Sequence, residues 1–252
     1  MKKIFYILFF VAQVVFAQSP EVLFEKANKQ YKEGLYKEAI ATYDSIEKQG
    51  YISSELYFNL GNSYYKLNRV APTIYNYEKA LLLDPLNEDA KNNLVFARRL
   101  TIDNIEELPT TIFDKLDESL VKKLSYNQWA IVCVVFSFLG ALLFLAFYFD
   151  GDSSKKRLFF ITSLSSFFLL IISLVFTVKE FNETSSKIEA IIFAQQIAIK
   201  NAPTNNSEDV FTLHEGTKVL ILDSVDNWNK IKIADGKTGW ISSDKLKRLN
   251  LF

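Results

Sequence analysis

The sequence predicts a multidomain membrane protein in three parts: an all-α array of two-helix repeats, a helical hairpin crossing a membrane, and a small C-terminal all-β barrel. Three observations predict it. Residues 34 positions apart match within the first hundred residues, two runs of 21 residues carry no charged side chain, and the hydrophobic pattern turns from helical to alternating after Val178.

The chain opens with Lys2 and Lys3, an apolar run from Ile4 to Phe16, and the small-residue positions Val15 and Ala17 before Gln18. Basic, apolar and small residues in that order are the mark of a secretory signal peptide, here residues 1–17. Gln18 stands where a lipoprotein would need Cys, so no lipid anchor is expected there.

The repeat follows. "KANKQYKEG" (Lys26 to Gly34) is echoed by "LGNSYYKLN" (Leu60 to Asn68), so that Ala27 pairs with Gly61, Asn28 with Asn62, Tyr31 with Tyr65 and Lys32 with Lys66; Tyr43 pairs with Tyr77 at the same offset. A period of about 34 residues belongs to helix pairs that bury their apolar faces only by stacking on a neighbour. Tyr57, Leu60, Gly61 and Tyr64, then Tyr77, Ala80 and Pro85, read as packing and turn positions of the second unit. The small residues Ala27 and Gly61 allow close helix approach, and Tyr64 and Tyr77 fill the space between helices. "NEDAKNNLVFARRL" (Asn87 to Leu100) places Ala90, Leu94 and Ala97 at spacings of three to four, the pattern of a capping helix that ends an array over residues 18–100.

These residues resemble the tetratricopeptide repeat family, the second unit closely. The first, from Pro20, keeps Ala27, Ala39 and Tyr43 but has Lys26 and Ile46 where Leu and Ala are usual. The resemblance implies an all-α tetratricopeptide array whose first helices line a groove for partner peptides. The groove positions are Glu21, Phe24, Asn28, Tyr31 and Lys32 in one unit, and Glu55, Phe58, Asn62, Tyr65 and Lys66 in the next. All five pairs are identical. Chemically, the Asn amides can hydrogen-bond a ligand backbone, the Lys ammoniums can meet carboxylates, and the Phe rings can form an apolar floor. Phe24 stands where the carboxylate-clamp subtype carries Lys, so recognition of a free C-terminal carboxylate is not implied.

Residues 101–128 read as a linker and a juxtamembrane amphipathic helix. Ile112, Leu116, Leu120 and Leu124 fall at four-residue intervals with Phe113 and Val121 alongside, one apolar stripe that either lies on the membrane or packs back on the array. Residues 129–149 and 158–178 then form the two spans. At ~1.5 Å rise per residue each covers the ~30 Å hydrocarbon layer. The loop of residues 150–157, with Lys155, Lys156 and Arg157, is expected in the cytoplasm under the positive-inside rule, although Lys115, Lys122 and Lys123 precede the first span; the signal peptide decides the orientation. Trp129 and Tyr148 fit the aromatic belts. Everything outside the loop is then periplasmic: a two-pass protein of a bacterial inner membrane.

After a linker at residues 179–188, residues 189–252 alternate. "IAIKNAP", "TKVLILDS", "NKIKIAD" and "GWISSDKL" read as strands, with Asp235-Gly236 as a hairpin turn, enough for a five- to six-stranded barrel. Gly216, Trp228, Asp235-Gly236 and Gly239-Trp240-Ile241 resemble the bacterial SH3-like family, which implies a cell-wall or peptide binder. Trp240 is read as core, and Trp228, among polar neighbours, as the candidate surface residue.

Balanced charge, 29 basic and 29 acidic residues, gives no electrostatic case for nucleic acid. One His and one Cys, Cys133 inside a span, cannot build a Cys–His pair or a metal site; no phosphate loop occurs; no catalytic residue, metal or other cofactor is expected. The order of parts resembles the BatE-type proteins of Bacteroides aerotolerance operons. That resemblance implies a non-enzymatic scaffold in aerotolerance or stress response, with membrane or periplasmic partners that include von Willebrand-type domain proteins of the same operon. The alternative is a cell-envelope sensor whose SH3-like domain binds peptidoglycan.

Overall fold

The computed structural model describes residues 19–106, 109 and 111–249, so the signal-peptide reading lies outside the described residues. Five helices form the N-terminal region: α1 (Pro20–Lys32), α2 (Tyr36–Lys48), α3 (Ser54–Lys66), α4 (Val70–Leu83) and α5 (Glu88–Arg98). The side chains of Ser19, Ser53 and Asn87 cap α1, α3 and α5 by accepting from Val22 N, Leu56 N and Ala90 N. The turns after α1 and α3 use Gly34 (φ 80°) and Asn68 (φ 54°), 34 positions apart and both in the left-handed region that Gly and Asn enter most cheaply. The sequence period is therefore a structural one.

Helix packing follows the small-residue positions. Ala27 and Gly61 are buried, and a Cβ at Gly61 would lie 2.5 Å from two carbons of the Tyr77 ring. Only Gly lets that ring close the gap between α3 and α4. Tyr43, Tyr57 and Tyr77 are all 1% exposed or less, among Leu56, Leu60 and Ile74.

The stripe expected over residues 110–128 is broken. α6 (Ile112–Leu116) is five residues long and runs into a π-helical turn at Asp117–Val121. Ile112, Leu116 and Leu120 are exposed. Two helices long and apolar enough to cross a membrane follow, α7 (Tyr126–Phe149) and α8 (Ser153–Ser186). Both exceed the expected spans. Asp152 accepts from Ser154 N and Lys155 N and so starts α8 inside the expected loop, leaving residues 150–152 as the connection. Past Val178, α8 continues through most of the expected 179–188 linker, because Lys179, Glu180 and Glu183 suit a solvated helix and nothing there breaks one.

The hairpin is polar inside and apolar outside. Ser166 donates to the Phe136 carbonyl, Ser163 to the Gly140 carbonyl, and Cys133 to Ser173 Oγ, whereas Phe138, Leu142 and Phe167 are more than half exposed. Such a surface suits lipid, with small polar residues joining the helices.

One residue after α8 the chain enters an antiparallel sheet of β1 (Ile188–Ile192), β2 (Gln196–Lys200), β3 (Asp209–His214), β4 (Lys218–Val225), β5 (Trp228–Lys232), β6 (Thr238–Ser242) and β7 (Leu246–Arg248), in the order β3-β2-β6-β5-β4-β1-β7. Among the described residues, seven strands replace the expected five or six. β1 and β3 escape a pattern reading because β1 ends in the continuous run Ala190, Ile191 and Ile192, buried on both faces, and β3 is mostly exposed.

The sheet sits against the helices. Ile191 and Leu249 join Ala71, Ile74, Tyr77, Leu94 and Ala97 in one apolar cluster, and the Phe193 ring meets Tyr75 edge-on at 5.7 Å. Gly216 (φ 87°) approaches so closely that a Cβ there would lie 2.9 Å from Ile74 Cδ1 and Thr101 Cγ2.

Candidate functional site

The ten residues expected to line a groove lie on α1 and α3 in two equivalent sets. Asn28 Oδ1 accepts from Tyr43 Oη at 2.6 Å and from Asn59 Nδ2 at 3.0 Å. Asn62 Oδ1 accepts from Tyr77 Oη at 2.7 Å and from Asn93 Nδ2 at 2.9 Å. Burial pushes the Tyr43 phenol up to about 12 and raises that of Tyr77, so both hydroxyls stay protonated and donate. Each Asn thus has its oxygen filled and its orientation fixed, while neither NH2 group has a protein acceptor among the described residues. The arrangement offers one oriented amide donor per repeat.

Phe24 and Phe58 are part-buried, each tilted on the Tyr of its own unit, Phe24 on Tyr43 at 5.9 Å and Phe58 on Tyr77 at 6.0 Å. They belong as much to the core as to any floor. Tyr31 stacks edge-on with Tyr36 at 5.4 Å, while Tyr65 is 37% exposed. Glu21, Glu55, Lys32 and Lys66 are exposed and make no ion pair among the described residues. Glu21 and Glu55 stand in the first turns of α1 and α3 and Lys32 and Lys66 in the last, so each helix carries its acid at one end and its base at the other.

Sequence reasoning missed a second constellation, where the helices meet the sheet. Glu78 of α4, its side chain 8% exposed, receives Arg98 Nη2 at 2.6 Å and Lys218 Nζ at 2.9 Å, and Lys218 also reaches Glu189 at 2.6 Å. Burial alone would raise the Glu78 carboxyl, but Lys218 and Arg98 outweigh it and hold the group below its ordinary range. Asp103, on the segment leaving α5, accepts from His214 N at 2.7 Å and Thr217 Oγ1 at 2.6 Å, and its other oxygen meets His214 Nδ1 at 2.7 Å. His214, the one histidine of the chain, is therefore held at the junction. A cleft of about 690 Å3 opens beside it, lined in part by Arg98, Asn104, Lys218 and Lys232.

On the sheet, Trp228, expected as a surface residue, and Trp240, expected in the core, are both half-buried, and Trp240 departs from its core assignment. Buried Asn229 and Ile231 alternate with Trp228 and Lys230 on β5, and buried Gly239 and Ile241 flank Trp240 on β6. Register pairs Trp228 with Ser242 and Lys230 with Trp240, so both indoles stand on the outer face. Gly239 instead faces inward, against Ile199. Among the described residues no group of His, Cys, Asp and Glu could hold a metal ion.

Residues 196–247, from β2 into β7, match the family model described as bacterial SH3 domain. No curated protein matches the chain.

Proposed function

We propose that the protein is a non-enzymatic, membrane-anchored scaffold. Its tetratricopeptide-type groove and SH3-like module stand together on the periplasmic side of a bacterial inner membrane and assemble membrane or periplasmic proteins. The observation that carries the reading is the pair of fixed amide donors at Asn28 and Asn62, without a protein acceptor among the described residues. Buried tyrosines orient them identically in successive repeats, an arrangement suited to the regularly spaced carbonyls of an extended peptide. The contact between helices and sheet supports a common side, since an even number of crossings returns the chain to the side it left. The signal-peptide reading of residues 1–17 makes that side the periplasm. The resemblance to BatE-type proteins suggests partners with von Willebrand-type domains and a role in aerotolerance.

A second reading, peptidoglycan binding by the sheet, is favoured by the two outward indoles Trp228 and Trp240, flat apolar faces on which sugar rings stack. Capture by the tagged full-length chain from solubilised membranes, run beside co-sedimentation with purified cell wall, separates the readings. In the scaffold, Asn28→Asp with Asn62→Asp keeps the oxygen that each Tyr needs but replaces the donors, each worth about 0.5–1.5 kcal/mol. Capture should fall roughly five- to a hundredfold with an unchanged melting temperature. Capture that survives this change sinks the groove. Cell-wall binding that is lost in Trp228→Ala with Trp240→Ala favours the second reading.

A further inference from the structure

At the open end of the groove, where α1 and α3 begin, lies a cleft of about 420 Å3. Its floor is apolar, formed by Phe24, Ile52 and the half-exposed ring of Tyr51, over the buried Ile46 and Leu56. Glu21, Glu25 and Glu55 line it as well, and no Lys, Arg or His does among the described residues. All three are exposed, and none is ion-paired among the described residues. Glu21 and Glu55 have a local reason to be there, since a carboxylate in the first turn offsets the helix dipole. Glu25 sits in the next turn, beyond that effect, and still faces the same cleft.

We infer that this cleft takes an apolar side chain of a partner protein with a Lys or Arg beside it in sequence. The apolar residue would sit on Phe24, Tyr51 and Ile52, and the cation among the three carboxylates. An acidic neighbour is excluded by like-charge repulsion, so the site selects partner segments by sign as well as by hydrophobicity. The inference rests on the groove reading but names a different part of it: this cleft fixes which residue enters the groove at its free end, and the Asn pair holds the backbone further in.

The test uses the full-length protein in detergent micelles on an array of immobilised ten-residue peptides. A central Phe or Leu is flanked by Lys or Arg in one set, by Asp or Glu in a second, and by Ser in a third. Retention of the basic set above the other two is expected, with an about tenfold loss in the isosteric triple variant Glu21→Gln, Glu25→Gln, Glu55→Gln. Equal retention of all three sets, no retention of any, or retention unchanged in the triple variant overturns the inference. Tyr65→Ala, which alters the groove outside the cleft, separates the two claims. Loss there but not in the triple variant leaves the groove and removes the cleft, and the reverse pattern leaves the cleft and removes the groove. A photo-crosslinker at Tyr51 that joins to residues 1–18 of its own chain also overturns it, since the occupant would then be internal.

Discussion

Asn28 and Asn62 each satisfy a buried Tyr hydroxyl with the side-chain oxygen and keep an NH2 that has no protein acceptor among the described residues. An Ala at either position would orphan a buried phenol, at a cost of about 1–3 kcal/mol, so it would confound folding with binding in a way that Asp does not. Gly61 acts one step further back. A Leu there must displace the Tyr77 ring, whose hydroxyl orients Asn62. Overpacking of this kind costs about 1–3 kcal/mol or more. Gly61→Leu should therefore lower the melting temperature followed by circular dichroism by roughly 5–20 °C, and partner capture should fall with it. An unchanged melting curve would mean that the close approach of α3 and α4 is not needed. The five identical residue pairs were legible in the sequence, and so were Tyr43 and Tyr77, though as packing rings and not as partners of the two Asn side chains. The Asn59 and Asn93 amides that complete the ladder carried the same 34-residue offset but offered no chemistry until the helices brought them together.

Between elements, the decisive contacts join α4 and the segment after α5 to the sheet. Glu78 and Asp103 both have carboxyls held below their ordinary ranges, against the upward push of burial, by Lys218 and Arg98 for the first and by Thr217 and His214 for the second. Depressed carboxylates contribute their stabilisation above the unfolded values, about 4.3 for Glu and 3.9 for Asp, and lose it as pH falls through the lower folded values. Acidification from pH 5 towards 3 should thus loosen the sheet from the helices, seen as faster amide exchange in β1 and β4. Glu78→Gln should show part of that loosening already at neutral pH. Exchange that is flat across this window would assign the junction to its apolar cluster alone. None of this was legible beforehand: Glu78 and Lys218 lie 140 positions apart, and a charge on a repeat helix reads as solvated until something covers it. Trp240 was misplaced for a related reason. Aromatic content argues for burial, but strand parity decides the face, and parity depends on knowing that Gly239 and Ile241 point inward.

For the whole molecule, the order of helical region, apolar hairpin and alternating C-terminal region was readable because each part has its own period. How the parts sit together was not, since docking depends on surface fit. Sidedness remains a matter for labelling. With Cys133→Ser, which keeps a hydroxyl opposite Ser173, a Cys introduced at Gly151 should react with a membrane-impermeant maleimide only after cells are broken, and one at Asn205 should react in cells with a permeabilised outer membrane. Reaction of the Gly151 position in those cells would turn the topology over.

The junction between α8 and β1 is a single residue, Lys187, and the helix reaches it unbroken from the hairpin. Gln128 Nε2 at the start of α7 reaches Asp84 at the far end of α4, so the body outside the hairpin meets it at two points, while Asp117 of the preceding turn pairs with Lys179 of α8. A body held this way has little room to swivel. It is keyed to the hairpin like a blade to a shaft, and the direction in which the groove opens is set by residue count. One residue added to α8 beyond Val178 would turn the helix's exit by about 100°. The sheet would then have to break its clasp on the helices or carry the groove's mouth round to face a different neighbour.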